Sequence, residues 1–321
     1  AAYEPNSLGG GCPFQAGADM GGFVSFAEKL PGPKVRQRSQ KFFDHFSQAR
    51  LFFDSQTDIE KDHIVSAFRF ELGKVEVPEI RERMVTILNQ ISGDLAKRVA
   101  DGLGLPSPIE PAKPLNQSIP ADGKVEAFQP RNGKPKPDPS SELSIVRSAR
   151  NDSVQTRKLA ILVSDGCDAD DIHNVSEMLL SRGAQPKIVA PHLGYLQTKQ
   201  GTTVKIHFSL LTASSVLFDA VFVPGGADSV NTLKKDSTAW EFIGEAYKHA
   251  KPIGACGEAG DFLGSFEPQG TDQPSDEALV LSEEGASEEM LTRFLSAMAK
   301  HRNWQREKRL RVDLRMLAPS R

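Results

Sequence analysis

The stretch KPIGACGEAGDFL, residues 251–263, has the ingredients of a nucleophile elbow. A short apolar strand ends at Cys256, Gly254, Ala255, Gly257 and Ala259 surround the turn, and a helix follows at once. Small neighbours are what a sharp strand-to-helix turn demands, because the nucleophile there sits in a strained backbone conformation. A helix N-terminus lowers a thiol pKa, and its backbone N–H groups can receive an oxyanion. Such a site also needs a base, and the residue after Cys256 is Gly257. His192 and His207 stand at other loops or strand ends. Asp171, near the carboxyl end of an earlier strand, could face the turn. As a protonated acid it would stabilise a thiolate, and as a carboxylate it would oppose one. Without a base, the residues favour Cys256 as a buried structural thiol.

Other constellations are weaker. PGGADS, residues 224–229, offers N–H groups in a glycine turn that could hold an anion, although glycine pairs at strand ends usually mean only a tight turn. GGG at 9–11 lacks the lysine and the strand–helix setting of a phosphate loop. The basic run from Arg302 to Arg315 reads as a solvated helix end or a subunit contact. Cys12, Cys167 and Cys256 form neither a disulfide framework nor a zinc pair, and no cluster has metal-ligand spacing. His45, His63, His173 and His249 fall in helical patterns and read as structural.

The elements that must position these residues are of two kinds. From Lys158 onward strand and helix patterns alternate: KLAILVS, AQPKIVAP, DAVFVPGG, KPIGAC and EALVLSEE are strands separated by amphipathic helices. Continuous apolar runs of this kind suit strands buried on both faces of a parallel sheet. YLQTKQGTTVKIHF reads as a hairpin turning at Gln200-Gly201. The expected fold is therefore α/β, a flavodoxin-like, doubly wound, mostly parallel sheet over 158–321. Ligands of such sheets bind at the carboxyl ends of the strands, which points to SDGCDADD, PGGADS and ACGEAG.

Upstream, residues 1–35 are Gly- and Pro-rich and read as an extended arm, with Phe14, Phe23, Val24 and Phe26 available for docking. Residues 36–105 are α-helical. One helix is expected near 38–53; a second, TDIEKDHIVSAFRFELGK, opens on the capping box Thr57-x-x-Glu60; a third is expected from Pro78 to the glycines at 102 and 104. Residues 106–157 carry nine of the 21 prolines between Pro106 and Pro139 and read as a linker.

The 321 residues suffice for two domains, and 39% apolar and 25% charged residues are those of a soluble globular protein. A net charge of −3 gives no reason to expect nucleic acid or an anionic membrane as partner. No apolar run reaches spanning length, and AAYEPNSLGG has neither the basic nor the apolar region of a signal peptide. Sequons at Asn116, Asn151 and Asn174 leave the compartment open.

YEPNSLGGGCPFQAG, GGFVSFAEKLPGPKVRQRS and FDHFSQARLFFDSQTDIEKDHIVSAFRFELGKVE resemble the wrapping and helical segments of large-subunit haem catalases over about the first 105 residues. The remainder resembles the C-terminal domain of the large catalases, similar in fold to the ThiJ/PfpI and class I glutamine amidotransferase superfamily. That resemblance puts Cys256 at the superfamily's nucleophile and Asp171 near its acidic partner, with Gly257 where a histidine often follows. It implies, for the whole protein, disproportionation of hydrogen peroxide at haem in a homotetramer. The haem barrel would lie upstream of Ala1, since none of Tyr3, Tyr195 and Tyr247 has an arginine four residues before it. The chain itself is then expected to be non-catalytic, to bind no haem and no metal, and to have other catalase subunits as partners. Two alternatives stand beside this reading: a chaperone-like binding module, and a ThiJ/PfpI-type enzyme using Cys256.

Overall fold

The computed structural model describes residues 16–29, 31–32, 38–106, 111, 113–131, 138–264 and 276–307. YEPNS, GGG, Cys12, Phe14 and the basic run beyond Glu307 lie outside these residues. By proximity the chain forms two compact units, 1–48 with 110–137 and 49–109 with 138–321. Among the described residues no helix is long and apolar enough to cross a membrane.

The first unit is held by local polar closures. A 3-10 turn at Gln40–Phe43 is capped by Ser39. Phe43 is buried edge-on against Phe128 at 5.7 Å, and its carbonyl accepts the Arg131 N–H at 2.8 Å. Gln129 ties back the proline-rich stretch, its Oε1 accepting from the Asn116 N–H at 3.2 Å and its Nε2 donating to the Asn116 carbonyl at 3.0 Å.

The second unit opens with helices α1 (Ser47–Ser55), α2 (Asp58–Gly73), α3 (Pro78–Asn89) and α4 (Gly93–Leu103). The capping box of α2 is present, with Thr57 Oγ1 accepting from the Glu60 N–H and Glu60 accepting from the Thr57 N–H. Two expectations are corrected. The helix expected near 38–53 is interrupted at Asp44–Phe46, because Asp44 Oδ1 accepts the Ser47 N–H at 3.1 Å and starts α1 afresh. The long helix from Pro78 is two helices, because Ser92 is extended and its Oγ caps α4 at the Leu95 N–H, 3.3 Å away. Phe53, Val65, Leu72, Val85, Leu88, Leu95 and Val99 form one core, with Ile64 and Phe68 packed partly buried against it.

The same unit continues through α5 (Ile145–Ser148) into the α/β layers: β1 (Lys158–Leu162), α6 (Ala169–Leu180), β2 (Gln185–Ala190), β3 (Tyr195–Gln197), β4 (Thr203–Lys205), β5 (Phe208–Ser209), β6 (Ala220–Val223), α7 (Ala227–Lys235), α8 (Ser237–Lys248), β7 (Ile253–Cys256), α9 (Glu258–Gly264), β8 (Leu279–Ser282) and α10 (Glu288–Ala299). The sheet order is β5-β2-β1-β6-β7-β8, all neighbours parallel, with β3–β4 as a separate antiparallel hairpin. Strand alternation sorts side chains between two cores. Leu159, Ile161 and Phe222 join α6 and α10 on one face, and Ala160, Leu162 and Val221 join α7, α8 and α9 on the other. The chain winds from β1 outward to β2 and then returns to β6 on β1's other side. The carboxyl ends of β1 and β6 therefore border the crevice where ligands of such sheets bind.

Candidate functional site

The three loops picked out by the sequence do meet at the carboxyl edge of the sheet. Asp168 caps α6 by accepting the Asp170 N–H at 2.9 Å, and also receives Lys199 and Gln200 from the turn of the hairpin. Burial pushes its carboxyl up, but these donors together hold it below its usual range. One turn on, Asp171 is 3% exposed. Its Oδ2 accepts the Gly225 N–H at 2.8 Å and its Oδ1 the Ala286 N–H at 2.6 Å. It thus joins the turns after β6 and β8. Burial raises its pKa, with the two amides opposing the rise.

The PGGADS turn brings two amides together as a nest does, but the protein fills that nest itself. Gly225 N–H goes to Asp171, and Gly226 N–H to Glu258 Oε2 at 3.0 Å. Gly226 has φ +116, and a Cβ there would lie 2.3 Å from the Gly166 carbonyl, so only glycine lets the β6 turn meet the β1 loop. Glu258 is held below the usual carboxylate range by the Gly226 amide and its own. An incoming oxyanion would find both donors taken by carboxylates.

The elbow itself is displaced from Cys256 by one residue. Cys256 is the last residue of β7, in register with Ser282 of β8, fully buried and joined to the core that contains Phe222 and Phe294. The left-handed residue between strand and helix is Gly257, with φ +51. A strained elbow presents its nucleophile at that apex, and here the apex has no side chain. A Cβ added there would meet only the Gly225 Cα, at 3.8 Å, so the place is empty rather than obstructed. Burial raises the Cys256 pKa, and Asp171 and Asp168 raise it further. Cys167 is likewise buried, its thiol pushed up to about 12. The arrangement opposes a thiolate at either cysteine.

The histidines are engaged elsewhere. His207 Nδ1 accepts the Ile188 N–H at 2.9 Å beside β2, His192 bonds the Leu193 carbonyl, and His63 pairs with Glu307 at 2.7 Å. Among the described residues no group of three or more His, Cys, Asp or Glu is disposed to hold a metal ion. The basic run is corrected in its described part. Arg306 is not solvated but fully buried, paired with Asp276 and lying 4.5 Å over the Tyr247 ring. Sequence reasoning also missed Glu258, whose signal was an acid at a helix start beside a glycine turn, and the buried Lys251, which had none.

Comparison with known proteins matches two separate parts of the chain to families. Residues 39–103 match the family described as catalase-related immune-responsive, and residues 155–308 match the C-terminal domain found in long catalases. Catalase HPII of Mycobacterium avium is 37% identical over 315 residues, covering 95% of this chain and 41% of that protein. Catalase HPII of Pseudomonas aeruginosa is 36% identical over 310 residues, covering 96% and 40%. Catalase-2 of Bacillus subtilis is 35% identical over 309 residues, covering 95% and 40%. The chain spans about two-fifths of the length of the curated relatives it matches.

Proposed function

Because the chain belongs to the large-subunit catalase family, as a C-terminal part of such a protein, we propose that it acts as a non-catalytic, assembly-stabilising portion of a peroxide-consuming haem enzyme. In the whole protein, two molecules of hydrogen peroxide would give dioxygen and two of water, in a homotetramer. The haem chemistry would lie in the part of the relatives' length that this chain does not span. Within the chain we assign 1–35 to a wrapping arm, 36–105 to a helical segment, 106–157 to a linker and 158–321 to the α/β domain.

The observation that carries the non-catalytic reading is the filled amide nest at Gly225 and Gly226, facing an elbow whose apex is Gly257. With Cys256 buried behind it, a ThiJ/PfpI-type activity has no nucleophile to use. The described tyrosines do not fit a haem ligand. Tyr195 stands exposed on the hairpin, and Tyr247 packs in the core against Phe242 and Ile243 with Arg306 across its ring. Titrated with haem, the 321-residue chain should show no Soret shift and consume no peroxide. A stable Soret band with peroxide turnover from this chain would overturn the assignment.

A further inference from the structure

We propose that the cavity between α2, the loop after β5 and the end of α8 binds a small anion, a carboxylate or phosphate carried on a flat ring. The cavity measures about 1000 Å³ and includes Lys251, Arg302, Phe242 and Trp304 in its lining.

Charge is the first argument. Lys251 is 3% exposed, and its Nζ donates to the carbonyls of Ser215 and Phe218, the latter at 2.8 Å, which uses two of its three N–H groups. Among the described residues Arg302 donates through Nη1 to the neighbouring His301 carbonyl, at 2.9 Å. Both cations feel the carboxylate of Asp219, as does Arg157. Asp219 is already occupied by the Lys158 N–H at 2.8 Å and by His301 at 3.3 Å. The carboxylates of the lining have nearer partners or face solvent, although Glu245 still acts on Lys251 from a distance. Glu245 is taken by Lys248 and His249, each at 3.1 Å, Glu307 by His63, and Glu241 stands exposed at the rim. A buried ammonium whose bonds go to neutral carbonyls, with the partly buried Arg302 guanidinium acting on it, is costly unless an anion joins them. Burial first and Arg302 second bring the Lys251 pKa down to about 8, against the opposing pull of Asp219 and Glu245.

The wall supplies the second argument. Trp304 is set edge-on to His63, with ring centroids 5.4 Å apart, and Phe242 is almost fully buried beneath the same cavity. Aromatic walls beside a cation suit a flat ring bearing a negative group better than a compact ion.

The test is calorimetric titration of the chain with phenyl phosphate, with inorganic phosphate and phenol as separate arms at matched ionic strength. Saturable binding of phenyl phosphate is expected, weaker binding of inorganic phosphate, and none of phenol. Lys251→Met and Arg302→Gln should each weaken phenyl phosphate by roughly tenfold or more, the scale of a lost charge-assisted hydrogen bond. Arg302→Gln keeps the test decisive if Lys251→Met does not fold, since Arg302 lies outside the fully buried core. No saturable binding, or unchanged affinity in Arg302→Gln, would overturn the proposal. Equal affinity for inorganic phosphate and phenyl phosphate would overturn its ring.

Discussion

At the scale of single residues, the sheet edge shows how a fold can keep the geometry of a reactive site without its reactivity. The amides that would meet an oxyanion have permanent acceptors in Asp171 and Glu258. Asp171, noted in the sequence for its possible nearness to a thiol, acts on Cys256 by opposing its ionisation and also ties two turns together. Asp171→Ala would leave the Gly225 and Ala286 amides buried without partners. Each such loss costs on the order of 1–3 kcal/mol, so the variant should be destabilised by roughly 2–6 kcal/mol. Urea unfolding measures this, and a variant as stable as the parent would show that water replaces the carboxylate freely.

At the scale of elements, short polar side chains decided where helices begin. Apolar spacing was visible across residues 78–104, and it ran through the break at Gln90–Ser92 because α3 and α4 bury their stripes in one core. Periodicity reports which side chains face inward; it does not report that the backbone between them has turned. The local signal was Ser92, three residues before the Leu95 amide it caps. Ser92→Ala should cost about 1 kcal/mol, and Ser92→Gly only a few tenths, because glycine allows water to solvate the freed amides. Equal losses in chemical denaturation would argue that packing, not the cap, sets the start of α4. Asp44 acts in the same way for α1. In the α/β half β1, β6 and β7 were evident because a strand buried on both faces is apolar throughout, whereas β5, two residues long, was too short to leave a pattern.

At the scale of the whole chain, long-range hydrogen bonds build the larger unit. The carboxylate of Glu60 serves its own capping box and also accepts from Ser144 Oγ at 2.8 Å and the Val146 N–H at 3.1 Å. Gln56 Nε2 donates to the Leu143 carbonyl at 3.0 Å, and Ser55 Oγ accepts the Ser140 N–H at 2.9 Å. Although burial pushes the Glu60 carboxyl up, these donors bring it down to about 2. A carboxylate lowered on folding contributes stability above its unfolded pKa of about 4.3, and that contribution is lost as pH falls toward the folded value. The melting temperature should therefore fall more steeply between pH 4.5 and about pH 2 in the parent than in Glu60→Gln. Parallel profiles would remove Glu60 from the acid response. The sequence by itself determined the α/β class, the capping box, the three loops at the strand ends and the resemblance that the family matches bear out, because these reside in local pattern and in runs of identity. Only the tertiary structure decided that the amide nest is filled, that Gly257 and not Cys256 is the apex of the elbow, and that Lys251 and Arg306 are buried. Those facts depend on which distant groups meet, and hydrogen-bond partners 32 to 115 residues apart leave no periodic trace in the chain.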